Sequence, residues 1–253
     1  LDVFRSALFR NVNLVTFVVY AALGGLFFML VITLQVVAGF NPLLAGAALL
    51  PATGLMLVLS SRAGDLSQRI GPRLPMTVGP LLSAAGVLLL MPIGAGATYL
   101  GSVLPGVTLF GLGLSLTVAP LTATVLAAAP VEHAGIASGV NNAVARSAGL
   151  LVIAALPALI GLSADAYADP SAMEPAYSRA MLLFAALLAA GGLFSLVTIH
   201  APRAAKVPGA IVKRGEEAPH LELPRCSCRV HCAVAGTPIQ PAPRRRSAAA
   251  AED

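Results

Sequence analysis

Charge is what this sequence has least of. No Asp, Glu, Lys or Arg occurs from Asn11 to Ser61, and none from Leu74 to Val131. Over all 253 residues only 11% are charged, against roughly 25% in an ordinary soluble domain. With 57% apolar residues and a mean hydropathy of +0.86, no water-soluble core asks for this pattern. The chemistry of an enzyme is missing too. There is no phosphate-binding Gly-Lys-Ser/Thr loop, no cluster of metal ligands in an apolar stretch and no nucleophile–base arrangement, so neither catalysis nor a cofactor is expected. The chain opens at Leu1, without an initiator methionine and without a basic segment ahead of a short apolar core, so a secretory signal is not visible and a fragment is expected. Lysine supplies only two of the sixteen cations while Ala, Gly and Arg abound, a usage that fits a bacterial genome.

The two charge-free runs are each about twice the roughly 20 residues that a helix needs to cross a ~30 Å hydrocarbon layer. Each breaks near its middle at a turn signal, Gly39-Phe40-Asn41-Pro42 and Gly94-Ala95-Gly96-Ala97-Thr98. Both therefore read as helical hairpins that cross a membrane and return. Apolar runs and breakers predict six spans, at about 12–37, 42–60, 75–93, 99–127, 134–162 and 180–199. Asn41 is expected to cap the second span, with Pro42 at its first position, where a missing N–H costs nothing. The domain layout that follows is a segment 1–11, an all-α six-helix membrane bundle 12–199, and a tail 200–253.

Loop charge sets the direction, because cytoplasmic loops collect Lys and Arg. Arg5 and Arg10 precede the first span, Arg62, Arg69 and Arg73 separate the second from the third, and most remaining cations follow the sixth. The opposite loops hold one base, Arg179, and the acids Asp165, Asp169 and Glu174. Both termini are thus expected in the cytoplasm of a bacterial inner membrane. The net charge of +5 is explained by this topology and needs no nucleic acid. The tail is rich in Pro, Arg and Ala, ends near Arg244-Arg245-Arg246, and is expected to be disordered. It carries all three cysteines, Cys226, Cys228 and Cys232, with His231. Cytosolic thiols stay reduced, and the C-x-C-x3-C spacing does not match paired zinc knuckles, so no metal site is assigned.

The fifth span holds the one charge expected deep in the bilayer. Ser138, Asn142 and Arg146 recur every fourth residue and share a helical face. Gly135, Gly139 and Ala143 form a neighbouring stripe on which another helix is expected to pack closely. Arg146 lies about 20 Å along the axis from Glu132. A guanidinium there costs a few kcal/mol unless it meets water or an acid, which marks it as a functional or gating residue beside the alternative of a packing network. No carboxylate is expected inside a span, and His133 and His200 sit at span ends. Gln35 and Asn141 read either as interhelical glue or as substrate contacts. Tyr20, Phe27 and Phe28 offer a stacking wall. Pro51, Pro105 and Pro120 are expected to kink their spans, the fourth being the most flexible.

The segment between the second and third spans reads as a short glycine-punctuated loop, with Gly64, Asp65, then Arg69-x-Gly71-x-Arg73. This resembles the signature loop of the major facilitator superfamily, which runs glycine, a small segment, aspartate-arginine, glycine and basic residues. Leu8-Phe9-Arg10-Asn11, Gln35-Val36-Val37-Ala38-Gly39, Ala45-Gly46, Leu50-Pro51 and Gly135-Ile136-Ala137-Ser138-Gly139 are similar to the fourteen-helix drug/proton antiporters, over nearly all of residues 1–199. Gln68 stands where the signature has its aspartate, so, if the loop works by charge pairing with a helix end, Asp65 must substitute or the latch is weaker. The resemblance implies the C-terminal six-helix half of such a transporter. It implies efflux of small hydrophobic or cationic drugs coupled to protons, a gating role for Gly64–Arg73, and an N-terminal half as partner in the lipid bilayer. A coupling carboxylate in that half, paired with Arg146, is the expectation for the proton. A non-transporting membrane scaffold and an inactive fragment remain as alternatives.

Overall fold

Side-chain capping sets where several helices of this protein begin. The computed structural model describes residues 2–163, 167 and 169–199, all within one compact unit. The tail 200–253 with its cysteines, His200 and Asp165 lie outside the described residues. The Ser6 side chain accepts the Phe9 N–H (3.3 Å) and opens α1, Ala7–Val36. Gly39 then turns the chain in the left-handed region (φ 72°). Asn41 accepts the Leu44 N–H (2.8 Å) and, with Pro42 at the first position, starts α2, Pro42–Ala47. After two residues α3 follows, Leu50–Ile70. Then come α4, Arg73–Leu90; a π-type turn, Tyr99–Val103, leading into α5, Leu104–Ala127; α6, Ala134–Ile160; and α7, Pro170–Thr198. Among the described residues six stretches are long and apolar enough to cross a membrane: α1, α2 with α3, α4, the π-type turn with α5, α6 and α7.

Three expectations change. The segment Ser61–Arg73 is not a loop: α3 continues through Gly64, Asp65 and Arg69 to Ile70, and the connection to α4 is only Gly71-Pro72. Arg, Leu and Gln favour helix there, and the stop comes from Gly71 at φ 87° followed by proline. Pro51 does not kink a continuous helix. Having no N–H to give Ala47 O, it stands at the second position of α3 and divides α2 from α3. Pro105 likewise sits at the start of α5, after the π-type turn, whereas Pro120 does lie inside α5. The sixth span begins at Pro170, not Ala180. The Asp169 carboxylate accepts from the Ser171 N–H (2.9 Å) and hydroxyl (2.8 Å), the same cap-plus-proline signal as Asn41-Pro42. Glu174 and Arg179, which break the apolar run, therefore belong to the first turns of α7. Asp65 on α3 and Glu174 on α7 are thus carboxylates on spans, close to their ends.

In lipid, burying leucine against another helix gains little over burying it in acyl chains, so close backbone approach drives association. Here that approach falls on glycines. A Cβ on Gly86 of α4 would lie 2.7 Å from Phe110 Cα and 2.9 Å from Gly106 O, and one on Gly113 of α5 would lie 2.5 Å from Gly79 O. These pairs interlock α4 and α5 as antiparallel neighbours. Gly111 meets Ala52 of α3 in the same way, at 2.6 Å from its Cα, and Gly192 of α7 approaches Thr77 O of α4 at 2.9 Å. Polar ties reinforce the α4–α7 pair at both ends. Arg73 Nε donates to Leu196 O (2.9 Å), and the Tyr177 hydroxyl donates to Leu90 O (3.0 Å). The resulting order of neighbours is α3, α5, α4, α7, α1, α6. The two terminal members are the least covered: 17% of the most apolar window is buried for α2 with α3 and 28% for α6, against 44–56% for the others.

Among the described residues the stripe Gly135/Gly139 makes no close contact, since a Cβ at either position would meet open space. Gly113→Leu should therefore lower the thermal midpoint in detergent, at a cost of about 1–3 kcal/mol from overpacking, while Gly139→Leu should leave it unchanged; fluorescence-detected size exclusion after heating reads both. Hydrogen bonds from Ser171 hold the exposed Asp169 carboxyl below its ordinary value of 3.8. A depressed carboxylate stabilises above its unfolded value and loses that contribution as pH falls through the folded one. Acidification from neutral to below about 3.8 should then destabilise the native protein more than an Asp169→Asn variant in the same melting assay.

Candidate functional site

Two helices with one shared offset make the site. The Thr16 hydroxyl on α1 lies 2.8 Å from Asn141 Oδ1 on α6, 125 residues later. One Gly pair has the same separation: a Cβ on Gly24 would stand 2.7 Å from Gly149 Cα. Equal offsets mean that α1 and α6 run parallel and in register between the two contacts, which lie eight residues, about 12 Å, apart at 1.5 Å per residue. Beside this seam opens a cleft of about 600 Å³, within the usual range of small-molecule sites. On α1 it is lined by Tyr20, Leu23, Gly24 and Phe27, and on α6 by Asn142, Ala145, Arg146, Gly149, Leu150 and Ile153. Each set follows the i, i+3, i+4, i+7 spacing of a single helical face.

Arg146 is the thirteenth of the 27 residues of α6, midway along the span. It is exposed, and among the described residues it makes no hydrogen bond or ion pair. Asn142, one turn earlier, and Ser138, two turns earlier, are exposed as well. The three share the open side of α6, as their spacing predicts. Asn141 does not join them. Its amide oxygen faces α1, where it shares the Thr16 proton with Val12 O (3.0 Å), so it ties the two helices together. Gln35, near the far end of α1, gives its amide proton back to Val31 O (3.2 Å) and does not line the cleft.

Of the expected aromatic wall, two members are in place. Tyr20 and Phe27 line the cleft, and the Phe27 ring is held edge-on by Phe110 of α5, with centroids 6.0 Å apart. Phe28 points elsewhere and packs edge-on against Tyr167 at 6.2 Å. Thr16, Gly24 and Gly149 did not stand out from the sequence. The signal was there in principle: Tyr20, Leu23, Gly24 and Phe27 already have the face spacing, but inside a uniformly apolar helix nothing distinguishes that face from any other.

Gly64, Asp65, Arg69, Gly71 and Arg73 lie away from the cleft, around the α3–α4 connection. Arg62, Asp65 and Arg69 are exposed on the last turns of α3, and Arg73 is engaged with the end of α7 through Leu196 O. A cation placed against the last carbonyls of a helix is favoured by their unsatisfied lone pairs and by the dipole. Arg179 does the same for α6, donating to Ile160 O (2.6 Å) where Gly161 (φ 69°) ends the helix. Among the described residues no group of His, Cys, Asp and Glu is disposed to hold a metal.

The family model described as Major Facilitator Superfamily matches residues 2–154. Among curated proteins, the chain is 35% identical over 165 residues to the tetracenomycin C resistance and export protein of Streptomyces glaucescens, covering 63% of this chain and 30% of that protein. It is 32% identical over 143 residues to the multidrug resistance protein Stp of Mycobacterium tuberculosis, covering 56% and 26%. To the quinolone resistance protein NorB of Staphylococcus aureus it is 33% identical over 171 residues, covering 64% and 33%. The chain thus spans about a third or less of the length of these relatives. With six apolar helices, and a family match over more than half of its length, it belongs to the major facilitator superfamily of membrane transporters.

Proposed function

We propose that this chain is the C-terminal six-helix half of a bacterial drug exporter in which outward substrate movement is exchanged for inward protons. The names of the relatives support the first part, since each speaks of resistance or export. The single observation that carries it is Arg146. A guanidinium halfway along a span costs about 2.5–3.5 kcal/mol or more against hydrocarbon, and this one lies on the side of α6 that no described helix covers. That side must therefore meet water or protein, and a central cavity shared with a second bundle supplies both. In this arrangement α1 and α6 line the cavity with Tyr20, Phe27, Asn142 and Arg146. Substrate enters from the cytoplasm or inner leaflet, and the two bundles rock about the site to release it outside.

The charge asymmetry between the two ends supports cytoplasmic termini. Arg5, Arg10, Arg62, Arg69 and Arg73 gather at one end of the bundle and Arg179 lies at the other. Asp65 and Glu174 sit in end turns, away from the middle of their spans, so the coupling carboxylate is assigned to the N-terminal half. The α3–α4 junction, with Arg73 holding α7, braces one of the two states.

The reading is tested in inside-out vesicles carrying the native polypeptide that contains this sequence. Dye uptake should follow an imposed proton gradient, vanish with a protonophore, and fall at least about ten-fold (1.4 kcal/mol) in Arg146→Ala. Uptake that ignores the gradient would remove proton exchange from the proposal. No uptake of any dye would remove transport.

A further inference from the structure

The residues of the α1–α6 cleft bear on what it binds. We infer that its ligand is a planar, mostly apolar aromatic compound carrying one acidic oxygen group, a carboxylate or a phenolate, rather than a cation. The inference rests on the reading of the cleft as a transport site and narrows its substrate class.

Four observations carry it. Arg146 is the one charged side chain among the residues lining the cleft, and it has no hydrogen bond or ion pair among the described residues. Arginine is always protonated and offers five N–H donors and no acceptor, so what completes it is an acceptor, best a planar oxyanion that takes two parallel hydrogen bonds. Second, among the described residues no Asp or Glu lines the cleft, so on this side of it a cationic ligand meets only the repulsion of Arg146. Third, the polar groups beside Arg146 are neutral. Asn142 lies one turn away on the same face, and Tyr20 lines α1 at the same level, since the shared offset of 125 pairs position 20 with 145. Both can donate a further hydrogen bond to an oxyanion. Fourth, the rest is apolar and flat-sided. Phe27 is already fixed edge-on by Phe110, and Leu150 and Ile153 face it from α6. Ring and acid group would thus be held about two turns apart along one seam, the ring at Phe27 and the oxygen at Arg146.

Fluorescein and rhodamine 6G share a xanthene ring system and carry opposite charge, so together they isolate the charge preference. Binding of each to the native polypeptide in nanodiscs is measured by anisotropy at about pH 8, where arginine stays charged. Fluorescein should bind the wild type more tightly than rhodamine 6G. Arg146→Gln should weaken fluorescein at least ten-fold and leave rhodamine 6G equal or tighter, which also shows that the variant is folded. Arg146→Lys should keep most of the fluorescein affinity. Tighter binding of rhodamine 6G to the wild type would overturn the inference. So would an equal loss of both dyes in Arg146→Gln, or fluorescein binding indifferent to it, as expected if an acid of the other half neutralises Arg146. In each of those cases gradient-driven uptake in vesicles still decides separately whether the cleft belongs to a transporter.

Discussion

Everything in this bundle depends on backbones coming close enough to touch. Apolar side chains that would drive folding in water are equally content against lipid tails, so leucines alone cannot tell one helix which neighbour to choose. The choice is made where a side chain is missing. Gly86 against Phe110 and Gly106, Gly113 against Gly79, Gly111 against Ala52 and Gly24 against Gly149 each fix both the partner and the register. Once α4 and α5 are locked, α7 is tied to α4 by Arg73 and Tyr177, and α1 carries α6 at the edge. Polar side chains largely take care of themselves. Thr16, Thr77, Ser115, Thr117 and Thr124 return their protons to the carbonyl four residues back, so none of these five hydroxyls lacks an acceptor.

This division of labour explains what the sequence makes legible. Charge-free runs set the number of spans, because one charge in the hydrocarbon layer outweighs several leucines. Asn41-Pro42 gave the start of α2 by its capping chemistry. Asp169-Pro170 carried the same signal but was masked by Glu174 and Arg179, which make the first turns of α7 look like a loop by hydropathy. The α3–α4 junction misled for the opposite reason: glycine and charge suggest a loop, yet the helix formers between Arg62 and Arg69 run on until Gly71.

The site was half visible. A four-residue spacing put Ser138, Asn142 and Arg146 on one face, and the structure leaves that face open. What spacing could not supply was the helix opposite. Gly135 and Gly139 looked like the contact stripe and meet nothing among the described residues, while Gly149, between Ala148 and Leu150, lets the α6 backbone reach Gly24 of α1. Asn141 and Asn142 are adjacent and chemically identical, but a rotation of about 100° makes one a tie to Thr16 and the other a lining group of the cleft.

The equal offset of the two α1–α6 contacts has a mechanical consequence. Two pins in register, one at Thr16–Asn141 and one at Gly24–Gly149, turn a pair of helices into a single plate that can neither slide nor twist without breaking one of them. The groove alongside is bordered by α1 and α6 as a pair, so the two pins also set its width. Any change in the shape of that groove must then be made by what comes to stand opposite.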